Sequence, residues 1–245
     1  MYDSYSKGIS YTSGFFMLIA FTVAGFFLAS LISIPVWTQM TGISITKMEE
    51  AMSDPRNSNA VKVIQCITAV VAFLVPALFT AYMLNRRPMK LLGFSGKINW
   101  QQVGLVCAIV VSALFVSAFM AYLNDRLPIS EAWKLKFDKM ESEYNKQVEA
   151  IVSLNSTADY LLALFIMAFI PALCEETLFR GGLQNFLTRS THKPWLSIII
   201  VSLIFSAAHF SYYGFLSRFF LGLILGLLYQ YSGKLWLTIL AHFLN

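Results

Sequence analysis

The length of its apolar runs constrains this chain more than any other feature. Residues 11–37, 61–84 and 103–123 each hold about the 20 apolar residues a helix needs to cross a bilayer. Shorter runs follow at 160–173, 196–210, 216–231 and 235–245. The run at 160–173 is expected to continue as helix through the charged cluster behind it. In hydrocarbon the backbone must bond to itself, and a helix does so within one segment. Composition agrees: 57% of residues are hydrophobic and 13% charged, against about 25% charged in soluble domains. A chain this apolar lacks the polar surface to cover itself in water. The first run is too long for a cleaved signal peptide, and its flank carries only Lys7, so it reads as a retained helix. The expected fold class is all-α, a polytopic transmembrane helical bundle of about seven to eight membrane helices plus one amphipathic interfacial helix. One membrane domain over 1–245 is expected. It comprises N-terminal helices over 1–123, an extramembrane connector over 124–158 and a catalytic helical core over 159–245.

The net charge is +5, and its placement carries topology. Arg86, Arg87, Lys90 and Lys97 crowd one connection without an acid, Arg189 and Lys193 another, and Lys234 the last turn. The positive-inside rule puts these connections in the cytoplasm. Alternating spans then place the N-terminus there too. No basic stripe with interleaved aromatics appears, so nucleic acid is not an expected partner. Cys66, Cys107 and Cys174 lie in apolar stretches and read as small buried hydrophobes, with neither metal spacing nor a disulfide framework.

Within the connector, Trp133, Phe137, Met140, Tyr144, Val148 and Ile151 recur at steps of three and four, with Lys, Glu and Asp opposite. That pattern is an amphipathic helix. It suits a helix on the membrane surface that shapes substrate access, and equally a helix packed as a cover on the bundle.

Ionisable residues inside spans are costly and mark function. Here they gather in the last third. In Pro171-Ala-Leu-Cys-Glu175-Glu176-Thr-Leu-Phe-Arg180, Glu176 and Arg180 are four apart and share a helix face, so they can pair. Glu175 points about 100° away and stays free. A free carboxylate in a dry site suits proton transfer near neutral pH. Phe205-Ser-Ala-Ala-His209 places His209 within an apolar run whose small residues allow close helix approach. In Ala241-His242-Phe-Leu-Asn245, His242 and Asn245 are three apart and can face one site. Each histidine taken alone could be an interhelical hydrogen bond. His192 sits beside Lys193 in a basic turn and reads as solvated. Together Glu175, His209, His242 and Asn245 make a hydrolytic set. The glutamate takes a proton from water, one histidine orients it, and the other histidine and the amide serve the oxyanion. The same Glu175, His209 and His242 also suit a divalent metal such as zinc, with an open position for water. Spacing alone leaves both mechanisms open. No H-E-x-x-H helix or G-x-S-x-G elbow is present.

Glu175-Glu176-x-x-x-Arg180, Phe205-x-x-x-His209 and the late His242 with an Asn resemble the CPBP family, the type II CAAX prenyl proteases and their bacterial Abi-type relatives. The resemblance covers residues 160 to 245. It implies a helical bundle whose site opens towards the cytoplasm, with Glu175 as the catalytic glutamate, His209 and His242 as its histidines, and an intramembrane endopeptidase activity. Many members place the Asn four residues after the late His, whereas Asn245 stands three after. The expected substrate is a membrane-associated peptide or protein, and the expected location the bacterial cytoplasmic membrane, with N-terminus and site mouth cytoplasmic. A competing reading is a membrane scaffold or bacteriocin-immunity-type protein with an idle site. A transporter is weaker, because no inverted repeat is visible.

Overall fold

A computed structural model describes residues 4–151 and 156–245. Eight principal helices follow in order. They are α1 (Tyr11–Thr41), α2 (Pro55–Leu84) and α3 (Trp100–Asp125), then α4 (Glu131–Ile151), α5 (Asp159–Thr191) and α6 (Pro194–Ala207), and last α7 (Phe215–Ser232) and α8 (Leu235–Leu244). Apart from one bridge between Ser6 and Asn85, no strand pairing occurs among the described residues.

Among the described residues five helices, α1, α2, α3, α5 and α7, are long and apolar enough to cross a membrane. The expected seven to eight is not reached by length. α6 and α8 have 14 and 10 residues, so they rise only about 21 and 15 Å against a hydrocarbon core of about 30 Å. The run at 160–173 does continue through Glu175, Glu176 and Arg180, as helix α5.

Two of the long helices change pitch before a proline. In α2 a π-helical stretch (Ala69–Leu74) precedes Pro76, and in α5 another (Phe165–Phe169) precedes Pro171. Proline offers no N–H and its ring crowds the carbonyl one turn back, so the preceding turn widens. A third π stretch, Thr177–Gln184, follows Glu176 directly and is buried at every residue. π turns inside α-helices are frequent at functional sites.

The core lies between α1, α2, α5 and α6, where Leu18, Leu84, Leu178, Phe186 and Phe205 meet. Small residues set these distances. A side chain at Gly182 would meet Leu18, and side chains at Gly222 and Gly226 of α7 would meet Ser202 and Ile198 of α6. Outward residues are as apolar as inward ones: Phe16, Phe27, Leu105 and Phe115 are all exposed. Cys107 lies on this outer surface, not buried as expected, while Cys174 is buried.

The basic connections share one end. Lys234 donates to Gln102 at 2.9 Å and to the Lys97 carbonyl, Lys7 donates to the Tyr82 carbonyl at 2.7 Å, and Arg189 lies over the Tyr11 ring. The opposite end carries α4. Its Phe137 stacks on Tyr212 with ring centroids 4.6 Å apart, and its Glu141 and Asp138 accept from Ser211 and Tyr213. Trp133 and Tyr144 stay exposed, so the apolar stripe is only partly covered by the bundle. The side chain of Ile151 lies outside the described residues.

Candidate active site

α5, the loop after α6, and α8 bring Glu175, His209 and His242 to one point. Glu175 Oε2 lies 4.0 Å from His209 Nε2 and 4.0 Å from His242 Nε2. It is buried and has no hydrogen-bond partner among the described residues. A buried acceptor without a partner is unusual and requires an explanation.

The other ring nitrogens are held. His209 Nδ1 lies 2.8 Å from the Phe205 carbonyl, one helical turn back, and a carbonyl can only accept. The proton therefore sits on Nδ1, and Nε2 faces Glu175. His242 Nδ1 lies 2.9 Å from Glu176 Oε1. The same oxygen accepts from Arg180 Nη1 at 2.9 Å, so the i,i+4 pair read from the spacing exists and is fully buried. A carboxylate behind an imidazole fixes its orientation and stabilises its protonated form. The two adjacent glutamates thus separate as their 100° offset requires: Glu176 pairs with Arg180 and His242, and Glu175 faces the Nε2 atoms of the two histidines.

Phe205 joins the parts. Its ring meets His209 and His242 edge-on, at centroid distances of 4.9 and 5.9 Å, and the Arg180 guanidinium lies 4.6 Å from its face. Arg180 also reaches the Gly222 carbonyl, and Gln184 donates to the Gly226 carbonyl at 2.8 Å. Asn245 is brought less close. It is exposed, its backbone N–H closes α8, and no hydrogen bond joins its side chain to the three residues. His192 is exposed in the basic turn, as expected.

Exposure is graded. The side chains of Glu176 and Arg180 are sealed at 0 and 1%, while Glu175, His242 and His209 rise to 15, 17 and 31%. Beyond His209 a cavity of about 260 Å³ is lined by Phe137, Met140, Tyr144, Phe210 and Arg218. The mouth is therefore on the α4 side. The N-terminal segment and this cavity lie towards opposite ends of α3, whose 26 residues rise about 39 Å.

Sequence reasoning missed the residues that hold the mouth. Asn124, buried at the end of α3, donates to the Tyr212 carbonyl at 2.9 Å and accepts from the Leu216 N–H. Ser206 donates to the Phe215 carbonyl at 2.6 Å, a role beyond that of a small residue. Phe210 has a φ of 50°, rare for a bulky residue, directly after His209. Gly222-x-x-x-Gly226 was visible as a close-packing motif. Nothing local marked Asn124.

A zinc ion suits two imidazoles and a carboxylate chemically, but tetrahedral ligand atoms lie about 3.4 Å apart. The 4.0 Å separations are wider, and no group of three metal-ligating residues reaches metal spacing among the described residues. The residues as placed do not fit zinc. They do fit one water, which at about 2.8 Å from each partner bridges a gap of about 4–4.5 Å.

Residues 157–245, which carry every member of the constellation, match the family described as type II CAAX prenyl endopeptidase, Rce1-like. An Escherichia coli relative named "Uncharacterized 24.3 kDa protein" is 40% identical over 91 residues, 36% of this chain and 42% of the relative. YpbD of Bacillus subtilis (strain 168) is 34% identical over 85 residues, 33% of this chain and 40% of the relative. The chain thus spans about two fifths of the length of these curated relatives. No solved structure matches it. Three motifs read from the sequence converge on one carboxylate oxygen, and the region that carries them, residues 157–245, is similar to the Rce1-like type II CAAX prenyl endopeptidases.

Proposed function

We propose that this protein is an intramembrane endopeptidase that hydrolyses a peptide bond of a membrane-associated polypeptide with water activated by Glu175. The observation that carries this reading is the unpartnered Glu175 Oε2, one water's width from two imidazole nitrogens. Water bound there gives a proton to Glu175 and attacks the scissile carbonyl as hydroxide. His209 Nε2 orients that water. His242, backed by Glu176, is protonated and donates from Nε2 to the oxyanion. Glu175 then passes its proton to the leaving amine, and the peptide bond breaks.

Residues 159–245 form the catalytic core in this reading. α6 and α8 act as short membrane elements that deliver the histidines from the basic end, which would bring the membrane helices to seven, the lower end of the expected seven to eight. The bilayer is the partner of the apolar exterior, in the cytoplasmic membrane if the source is bacterial.

The test is reconstitution of wild type and Glu175→Gln into vesicles of native membrane proteins, with new peptide termini read by mass spectrometry. Termini that appear only with wild type support the reading. Identical termini in both would sink it and favour a scaffold with an idle site. Elemental analysis of the same samples reads the metal directly. Stoichiometric zinc lost in Glu175→Ala and His209→Ala would mean that the three side chains contract around an ion.

A further inference from the structure

A second cavity, of about 710 Å³, lies at the basic end, between the start of α1, the turn from α5 to α6 and the last turn of α7. Its wall is polar where the bundle's exterior is apolar. Ser6, Ser10, Thr12, Arg189, Ser190 and His192 all border it, and no acid among the described residues does.

The Arg189 guanidinium is fixed in place. Asn185 is buried and donates from its amide to the carbonyls of Leu91 and Gly181, at 2.5 and 3.2 Å. Its oxygen is thereby turned to Arg189 and accepts from Nε at 2.7 Å. Nη1 reaches the Tyr11 hydroxyl at 3.4 Å, and the Tyr11 ring stacks on buried Phe186. Nη2 makes no hydrogen bond among the described residues, and no carboxylate among them forms an ion pair with Arg189. A fork anchored at Nε and open at its Nη end is pre-set for the oxygens of an anion.

Hydroxyls complete the donor set. Thr12 Oγ1 and Ser190 Oγ are 2.5 Å apart, so one donates to the other. Two hydroxyls carry two protons and their bond uses one, which leaves the second for an outside oxygen. Ser6 Oγ accepts from the Gly8 N–H and keeps its own proton free. His192 adds a ring N–H.

Depth and net charge indicate what the anion belongs to. Trp195 follows Pro194 of the wall and Tyr231 follows Gln230, and both aromatic residues are exposed. Such residues at the ends of membrane helices sit at the level of the lipid headgroups. The connections at this end carry Lys7, Arg86, Arg87, Lys90, Lys193 and Lys234 with no acid among the described residues there. An excess of one sign draws anions whichever face of the membrane it lies on.

We infer that this cavity binds a phosphate group, held by Arg189 with Thr12, Ser190 and His192, and that the phosphate is the headgroup of an anionic phospholipid. The bound headgroup clamps the start of α1 to the end of α5, the helix that carries Glu175. The inference does not rest on the peptidase reading.

The test titrates delipidated protein in detergent with dioctanoyl phosphatidylglycerol, dioctanoyl phosphatidylcholine and inorganic phosphate, and reads binding as a rise in melting temperature. The expected result is that the phosphatidylglycerol stabilises wild type and the phosphatidylcholine does not. Arg189→Ala should weaken the apparent affinity about 10- to 100-fold, the effect of removing a charged hydrogen-bond donor. Ser190→Ala should weaken it by a smaller factor, and it keeps the test readable should Arg189→Ala fail to fold. Lys97→Ala, which removes a cation of the same end from outside the wall, should leave it unchanged. Inorganic phosphate that stabilises as well as the lipid, with the same loss in Arg189→Ala, would uphold the phosphate site and overturn the headgroup as its source. No stabilisation by either, or equal losses in Lys97→Ala and Arg189→Ala, would overturn the site.

Discussion

Glu176 Oε1 accepts from His242 Nδ1 across the bundle at 2.9 Å, while the neighbouring Glu175 leaves its Oε2 without a hydrogen-bond partner among the described residues. Two identical side chains, adjacent in sequence, thereby acquire opposite tasks. Glu176 holds an imidazole in position, and Glu175 faces two imidazole nitrogens at 4.0 Å.

Glu176→Gln keeps the shape but removes the charge behind His242. The expected loss is about 10- to 100-fold in kcat, with little change in KM, as for other carboxylates that orient a working histidine. The pH profile should also move, because the hydrogen bond that holds the His242 ring no longer ends on a carboxylate. An unchanged profile would mean that Glu176 serves structure alone.

Glu175→Gln should cost about 10²- to 10⁴-fold in kcat, the usual contribution of a general base. Its melting temperature should not fall, since Oε2 has no hydrogen bond to lose. A large drop in stability would point to a partner not seen here and weaken the assignment.

Arg180→Leu strands the buried Glu176 carboxylate. Breaking such a pair from one side costs about 3–5 kcal/mol. The double variant Arg180→Leu/Glu176→Gln should recover part of this, because no charge is then left unpaired. Thermal unfolding in detergent distinguishes the two.

The docking of α4 should depend on pH in one direction. The Tyr213 hydroxyl donates to Asp138, and this hydrogen bond pushes the phenol up to about 12. A free tyrosine titrates near 10. The neutral phenol is the bonded form, so the contact is complete below pH 10 and is lost as pH rises through 12. Proteolysis of α4 should therefore accelerate across that window in wild type, and Tyr213→Phe should lack the step.

What the sequence by itself determined is local. Run length specified a membrane bundle, and α5 continues through its charges as the motif required. The i,i+4 spacing specified the Glu176–Arg180 pair, and the 100° offset freed Glu175. Three ordered motifs pointed to the family whose model matches residues 157–245. Tertiary structure alone decided the rest. Lipid makes the outer face of a membrane helix as apolar as the inner, so periodicity could not say which face of α1 or α3 is buried or that Cys107 faces outward. The link from Glu176 to His242, the anchoring of the His209 loop by Asn124 and the side on which the site opens join residues far apart in the chain. No local spacing encodes such contacts; they exist only once the helices have packed.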